Sequence, residues 1–158
     1  MEPYKAIAFS LDISAGASIA ASHSDEVVNR FNAAWAGGDI DKAISCVAED
    51  AVYALHISGE ALPHGGETLG RAKIGTALRR AREEFILYRP FKLTADGSTV
   101  RFQVEFMYRH RESGEMLNGR FRMVMLVKDG FLVRTDEYHD HAKVEAFMRL
   151  VGRQPRGE

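Results

Sequence analysis

Apolar residues along this chain follow two periods. Val27, Val28, Phe31, Ala34 and Trp35 fall three and four apart, which predicts an amphipathic helix with those residues on its buried face. Ser22 with Asp25 approximates a capping box at its start, with Ser24 as the other cap, and Gly37-Gly38 stops it. Asp39 is expected to cap a second, short helix with Ile40, Ala43, Ile44 and Val47 inward. A third helix is predicted over 71–85, with Ile74, Ala77, Leu78, Ala81 and Phe85 as its stripe. Its other face holds Arg71, Lys73, Arg79, Arg80 and Arg82, which reads as a solvated face or, alternatively, as a phosphate-binding cluster. A last helix over 141–150 presents Val144, Phe147, Met148 and then Val151.

Alternation marks the strands: 51–57, 87–95, 99–111, 116–128 and 131–138, with 58–70 as a loop containing Pro63. In the third of these, Phe102, Val104, Phe106 and Tyr108 share one face, and Gln103, Glu105, Met107 and Arg109 share the other. A two-residue turn at Ser113-Gly114 would set Glu105 opposite Arg122, Phe106 opposite Phe121 and Val104 opposite Met123. At Lys128-Asp129-Gly130 a two-residue turn mixes the faces. A three-residue loop with Gly130 left-handed sets Met125 opposite Val133 and Arg122 between Glu105 and Asp136, and is the expected form. The inner face then reads Phe121, Met123, Met125, Val127, Phe131, Val133, Thr135, Glu137, His139. An apolar run therefore ends in two ionisable residues about 6.5–7 Å apart along one strand. A carboxylate on such a face means that the sheet end meets water or that the face lines a pocket.

Composition narrows the class. The chain has 158 residues, 46% hydrophobic and 27% charged, which suits one globular domain. A formal net charge of -1 argues against a nucleic-acid or anionic-membrane binder. The single cysteine, Cys46, excludes an intrachain disulfide and points to a reducing, cytoplasmic setting. Residues 1–23 read as an extension, either poorly ordered or packed on a neighbouring subunit. A signal peptide is the sharper reading, which Asp12 interrupts. The domain is expected over 24–151, with a tail over 152–158.

Three segments carry a resemblance: Phe31-Asn-Ala-Ala-Trp35-Ala-Gly-Gly-Asp39, Ala48-Glu-Asp-Ala-Val-Tyr53, and Asp129-Gly-Phe-Leu-Val-Arg-Thr-Asp-Glu137-Tyr-His-Asp140. With Gly70 before the third helix, they resemble the SnoaL-like branch of the nuclear transport factor 2-like superfamily. The resemblance implies a cystatin-like α+β conical barrel. Three N-terminal helices and a short strand pack on a curved antiparallel sheet, and a C-terminal helix follows. It also implies a deep small-molecule pocket and a homodimer through the outer sheet face. Relatives include cyclases, isomerases, dehydratases, epoxide hydrolases and non-catalytic binders, so fold alone does not give activity. In the epoxide hydrolase pattern, Glu137 matches the pocket aspartate and Tyr53 a water-holding tyrosine. The partner asparagine is Leu55 here, and the Arg-x-Asp pair is Phe106 and Tyr108, so water activation by that route is not assembled.

The candidate catalytic residues are Glu137, His139, Tyr53 and Tyr108. Glu137 would serve as acid/base and the others would orient and polarise. Their plain structural readings are a hydrogen-bonded carboxylate, a strand-end histidine and amphipathic wall. The pocket is expected to be lined by Phe31, Trp35, Leu55, Phe106, Phe121, Met123, Met125, Val133 and Thr135. No cofactor and no metal are expected: His139-Asp140-His141 lacks a third convergent ligand. His56 falls out of phase, as an interface histidine would, and His64 sits in a loop that could form a lid. Three functions follow. The first is a cofactor-independent isomerase, cyclase or dehydratase on a small apolar oxygenated substrate. The second is a non-catalytic ligand-binding module. The third is a dimerising domain with a filled interior. The dimer surface is expected to include Met107, Val124, Leu126, Leu132 and Tyr138, flanked by Arg109, Arg120 and Arg134.

Overall fold

The computed structural model describes residues 23–57 and 65–152. The expectations for residues 1–22, for the loop with Pro63 and His64, and for 153–158 lie outside them. Helix α1 (23–36) buries its predicted stripe. It ends where Gly38 takes φ +83°, as the Gly38 N–H reaches the Trp35 carbonyl (3.1 Å) and the Asp39 N–H reaches the Ala34 carbonyl (2.9 Å). Asp39 then caps α2 (Ile40–Ser45) by accepting the Lys42 N–H. There follow β1 (Val47–His56), β2 (Gly66–Leu69), α3 (Arg71–Glu84), β3 (Phe85–Asp96), β4 (Thr99–Arg109), β5 (Met116–Lys128), β6 (Phe131–Tyr138) and α4 (His141–Gly152).

The six strands form one curved, unclosed sheet in the order β2-β1-β6-β5-β4-β3. The sheet is mixed, not purely antiparallel, because β1 runs parallel to β6. Strand β2 falls in the stretch read as loop. Strand β1 starts four residues before the predicted Ala51, since its register with β6 breaks between Val47 and Val52 and hides the alternation. One sheet face carries Val100, Phe102, Val104 and Phe106 of β4 with Phe121, Met123, Met125 and Val127 of β5, all buried in one cluster with the α1 stripe.

Both hairpins differ from expectation, and both keep the expected faces. The β4–β5 connection uses four residues, 111–114, closed by the Gly114 N–H on the His110 carbonyl (2.9 Å). Glu105 therefore faces Arg120, Phe106 faces Gly119 and Val104 faces Phe121. The slip is two residues, so every side chain keeps its face. At β5–β6 the turn has two residues, with both Asp129 (φ +51°) and Gly130 (φ +79°) left-handed. A register shift around Val133 then restores the faces, setting Met125 against Thr135 and Met123 against Glu137. The same shift puts Leu132 into the core (2% exposed) and leaves Phe131 outside (43%), reversing both assignments. Leu132 thus leaves the expected dimer surface.

On the outer face Arg122 does not bridge Glu105 and Asp136. It lies over the Tyr138 ring, and Glu105 pairs with Arg89. Asp136 instead accepts from Arg134 Nε and Nη2 (2.9 Å each) and meets His56 Nε2 at 2.9 Å, while the His56 ring stacks on Tyr138.

Two predictions follow from these contacts. Gly70, ahead of α3, has φ +88° and ψ 146°, a conformation open to glycine almost alone. An added Cβ meets only ordinary contact at 3.6 Å from the Glu49 carbonyl oxygen, so the penalty is backbone strain. Gly70→Ala should cost about 1–3 kcal/mol in urea unfolding. At Asp136, burial alone would raise the carboxyl, but hydrogen bonds and charge from Arg134 and His56 outweigh it and hold it below the usual value of 3.8. The unfolded chain protonates first as pH falls, so this stabilisation is full above the usual value and lost below it. Urea midpoints of Asp136→Asn should lie well below wild type at neutral pH and converge with it at acid pH.

Candidate active site

The parallel pairing of β1 with β6 builds the site. Tyr53 lies opposite Thr135 and Leu55 opposite Glu137. A tyrosine one same-face step behind a glutamate can reach its carboxylate, and the Tyr53 hydroxyl donates to Glu137 Oε2. The other oxygen, Oε1, meets His139 Nε2 at 2.5 Å. Glu137 is only 8% exposed. His139 lies one residue past β6. Asp140 then turns the chain away, capping α4 through the Lys143 N–H (3.2 Å). The imidazole is held flat on Phe121 (centroids 4.4 Å apart, planes at 28°) and edge-on to Phe106 (5.7 Å). Nδ1 of that ring makes no hydrogen bond to the described residues. It is also absent from the buried unpartnered atoms, which among the described residues are Asp25 Oδ1, Asn32 Nδ2 and Trp35 Nε1. His139 lines the cavity described next.

That cavity has a volume of about 350 Å³. Of the expected lining, Phe31, Trp35, Leu55, Phe106, Phe121 and Met123 border it. Three residues do not. Met125 is fully buried beneath it, Thr135 borders a separate small void, and Val133 sits at the register shift. Val144, Phe147 and Met148 of α4 add an apolar wall. Arg80, Arg111 and Glu112 are exposed and also line the cavity, so it reaches the surface there.

Tyr108 is separated from the carboxylate. Its ring packs on Phe85 and Phe147, and its hydroxyl interacts with Glu84 near the rim. Alternation gave its face correctly but not its depth along the sheet. Tyr88, which sequence reasoning missed, takes a place in the wall instead. It sits opposite Phe106 on β3, and its hydroxyl donates to Asn32 Oδ1 (2.9 Å). The β3–β4 register would have revealed it, since its partner Phe106 was already on the inner face.

Burial, then the charge and hydrogen bonding of Glu137, push the Tyr53 phenol well above its usual range. Burial, then the Glu137 charge, does the same to Tyr88. Burial, followed by the hydrogen bond and charge of Glu84, raises Tyr108. All three stay neutral and remain donors at physiological pH.

Other candidates lie elsewhere. His56 belongs to the outer-face cluster with Asp136. Burial raises the Cys46 thiol, which donates to the Lys42 carbonyl. Among the described residues no three His, Cys, Asp or Glu side chains group as metal ligands, and no helix is long and apolar enough to cross a membrane.

An α+β cone with a hydrogen-bonded carboxylate at the floor of an apolar cavity is a recurrent protein class, and comparison identifies the branch. The SnoaL-like domain matches residues 28–135, and the chain belongs to that family. No curated protein gives a significant sequence match. Among solved structures, an NTF2-like protein from Burkholderia xenovorans is similar with a TM-score of 0.70 at 20% identity, covering 80% of this chain and 95% of that one. TerC, co-crystallized with polyporic acid, gives 0.68 at 20% identity over 82% and 98%. A candidate polyketide cyclase from Xanthomonas campestris gives 0.61 at 21% identity over 78% and 98%. These likenesses establish the fold.

The tyrosine shifts set a prediction. Of the five tyrosines, Tyr53, Tyr88 and Tyr108 should stay protonated well above the usual value of 10.0. Their contribution to stability is full below that value and is lost as pH rises beyond it, because the unfolded chain ionises first. Phenolate absorbance should therefore account for at most two tyrosines until alkaline unfolding releases the rest together.

Proposed function

We propose that the cavity binds a small, largely apolar molecule bearing at least one polar oxygen, and that the Glu137–His139 pair moves a proton on it without a cofactor. The observation that carries this reading is the buried Glu137 carboxylate, engaged by Tyr53 on one oxygen and by His139 on the other. A carboxylate beside Nε2 favours the tautomer with its proton there, which leaves the Nδ1 lone pair for the cavity. His139 then takes a proton from an acidic C–H or O–H of the ligand, and Glu137 stabilises the imidazolium that forms. Returning that proton to another atom of the same molecule is an isomerisation. Returning it to a departing hydroxyl releases water and is a dehydration. Glu137 thus orients and supports, and His139 makes the contact. The homodimer expected through the outer sheet face remains part of the proposal, supported by the exposed Leu126 and Tyr138 there.

A second reading, a binding module without turnover, is favoured by the apolar Leu55 and Phe106 in the wall, which offer no partner to an attacking water. One experiment separates the two. Enolisable aryl ketones such as β-tetralone are incubated in heavy water and exchange at the carbon next to the carbonyl is followed by NMR. The enzyme reading expects acceleration by the wild-type protein and a loss of about 10²-fold or more in His139→Gln and in Glu137→Gln, with fold and ketone affinity retained. Binding without accelerated exchange, or exchange indifferent to both substitutions, would falsify the proton-transfer role.

A further inference from the structure

The basic face of α3 holds five cations, and the structure accounts for them unequally. Arg71 Nε donates to the Val47 carbonyl (2.7 Å), Arg79 pairs with Asp41 (2.6 Å), and Arg82 donates to the Trp35 and Ala36 carbonyls at the end of α1 (3.0 and 3.2 Å). These three are engaged by the protein itself, Arg71 and Arg82 with backbone carbonyls and Arg79 with an exposed carboxylate. Lys73 is exposed and does not border the cavity. Arg80 does border it.

Arg80 also lacks the carboxylate that helical spacing would offer it. Glu84, four residues on, is taken by the Tyr108 hydroxyl and by Arg111 Nε at 3.7 Å. Arg111, the other cation at the rim, is neutralised further by Glu83 at 2.5 Å. No carboxylate among the described residues lies within ion-pair distance of Arg80. Among the described residues Arg80 is therefore the rim guanidinium that holds no ion pair, while the Glu84 and Glu112 carboxylates line the same rim. At the floor stands the Glu137 carboxylate, which repels a second negative charge. Between them the walls are largely apolar.

Resting on the pocket reading above, we propose that the ligand is an amphipathic monoanion whose charged head, a carboxylate, sulfonate or enolate, sits against Arg80 at the rim while its apolar body points inward. The charge polarity of the cavity then orients the ligand. Its head cannot approach Glu137, so the uncharged end, carrying the reacting oxygen, meets His139.

The test uses two fluorescent probes of one skeleton, anilinonaphthalene sulfonate and its uncharged parent N-phenylnaphthylamine, on the full chain. Trp35 is the single tryptophan and borders the cavity, so energy transfer from it to the probe reports binding, and displacement of the probe by β-tetralone assigns that binding to the cavity. The wild-type protein should bind the anion about tenfold more tightly than the parent, as one charge-assisted contact allows. Arg80→Gln should abolish that preference and leave the parent within about twofold, and Arg80→Lys should retain part of it. Raised salt should weaken the anion alone. A preference that survives Arg80→Gln, or an equal loss of both probes, overturns the inference. Parent binding with no anion preference in the wild-type protein leaves the pocket reading standing and overturns this one. Failure of both probes to receive transfer from Trp35 overturns both.

Discussion

The Glu137 carboxylate has two oxygens, and the fold delivers one donor to each. Burying a carboxylate without partners costs several kcal/mol, so this arrangement constrains much around it. Tyr53 must lie on β1 one same-face step behind Glu137, which requires β1 to run parallel to β6 in the observed register. His139 must stay on the inner face beyond the end of β6, which requires Asp140 to start α4 at once. Phe121 and Phe106 must flank the imidazole, which sets the relation of β4 and β5 to β6. Most of the sheet order can be read as the means of satisfying one buried charge.

The β5–β6 turn illustrates what local chemistry decides and what it cannot. Asp129-Gly130 is a strong two-residue hairpin signal, and residue chemistry alone predicts the turn that forms. Matching faces across the hairpin argues against it. The conflict is resolved by the register shift around Val133, which neither argument contains alone. The inner face from Thr135 to His139 was nevertheless legible, because a two-residue turn plus one extra residue and a three-residue loop share the same parity. The β4–β5 slip of two residues is harmless for the same reason. Pairing partners such as Arg122 with Asp136 carry no such protection, and they were misplaced.

Legibility of the site divides along similar lines. Alternation reports which face a side chain takes, so Glu137, His139 and Tyr53 could be grouped from sequence. It does not report depth along a strand, so Tyr108 was grouped with them although Glu84 holds it near the rim. Strand pairing between distant segments is needed to find Tyr88, and helix rotation against the sheet is needed to single out Arg80 from its four basic neighbours. The helices were legible except at two ends, where Val47 and Phe85, read as helix residues, open β1 and β3 instead; the α1 stripe, the Gly38 stop and the Asp39 cap are all local signals.

The replacement of polar wall residues by Leu55 and Phe106 bears on the chemistry itself. An attacking water needs partners to hold it, and here the groups nearest the carboxylate are aromatic and aliphatic. The imidazole in these surroundings has Nε2 tied to Glu137. In the proposed transfer, proton uptake at the other nitrogen would create a cation beside the carboxylate, where the dry walls would strengthen the attraction. Tyr53 tempers it, because its hydrogen bond takes up part of the same negative charge. A carboxylate shared in this way is the arrangement the proposed transfer uses: one oxygen orients the imidazole and the other is held by Tyr53.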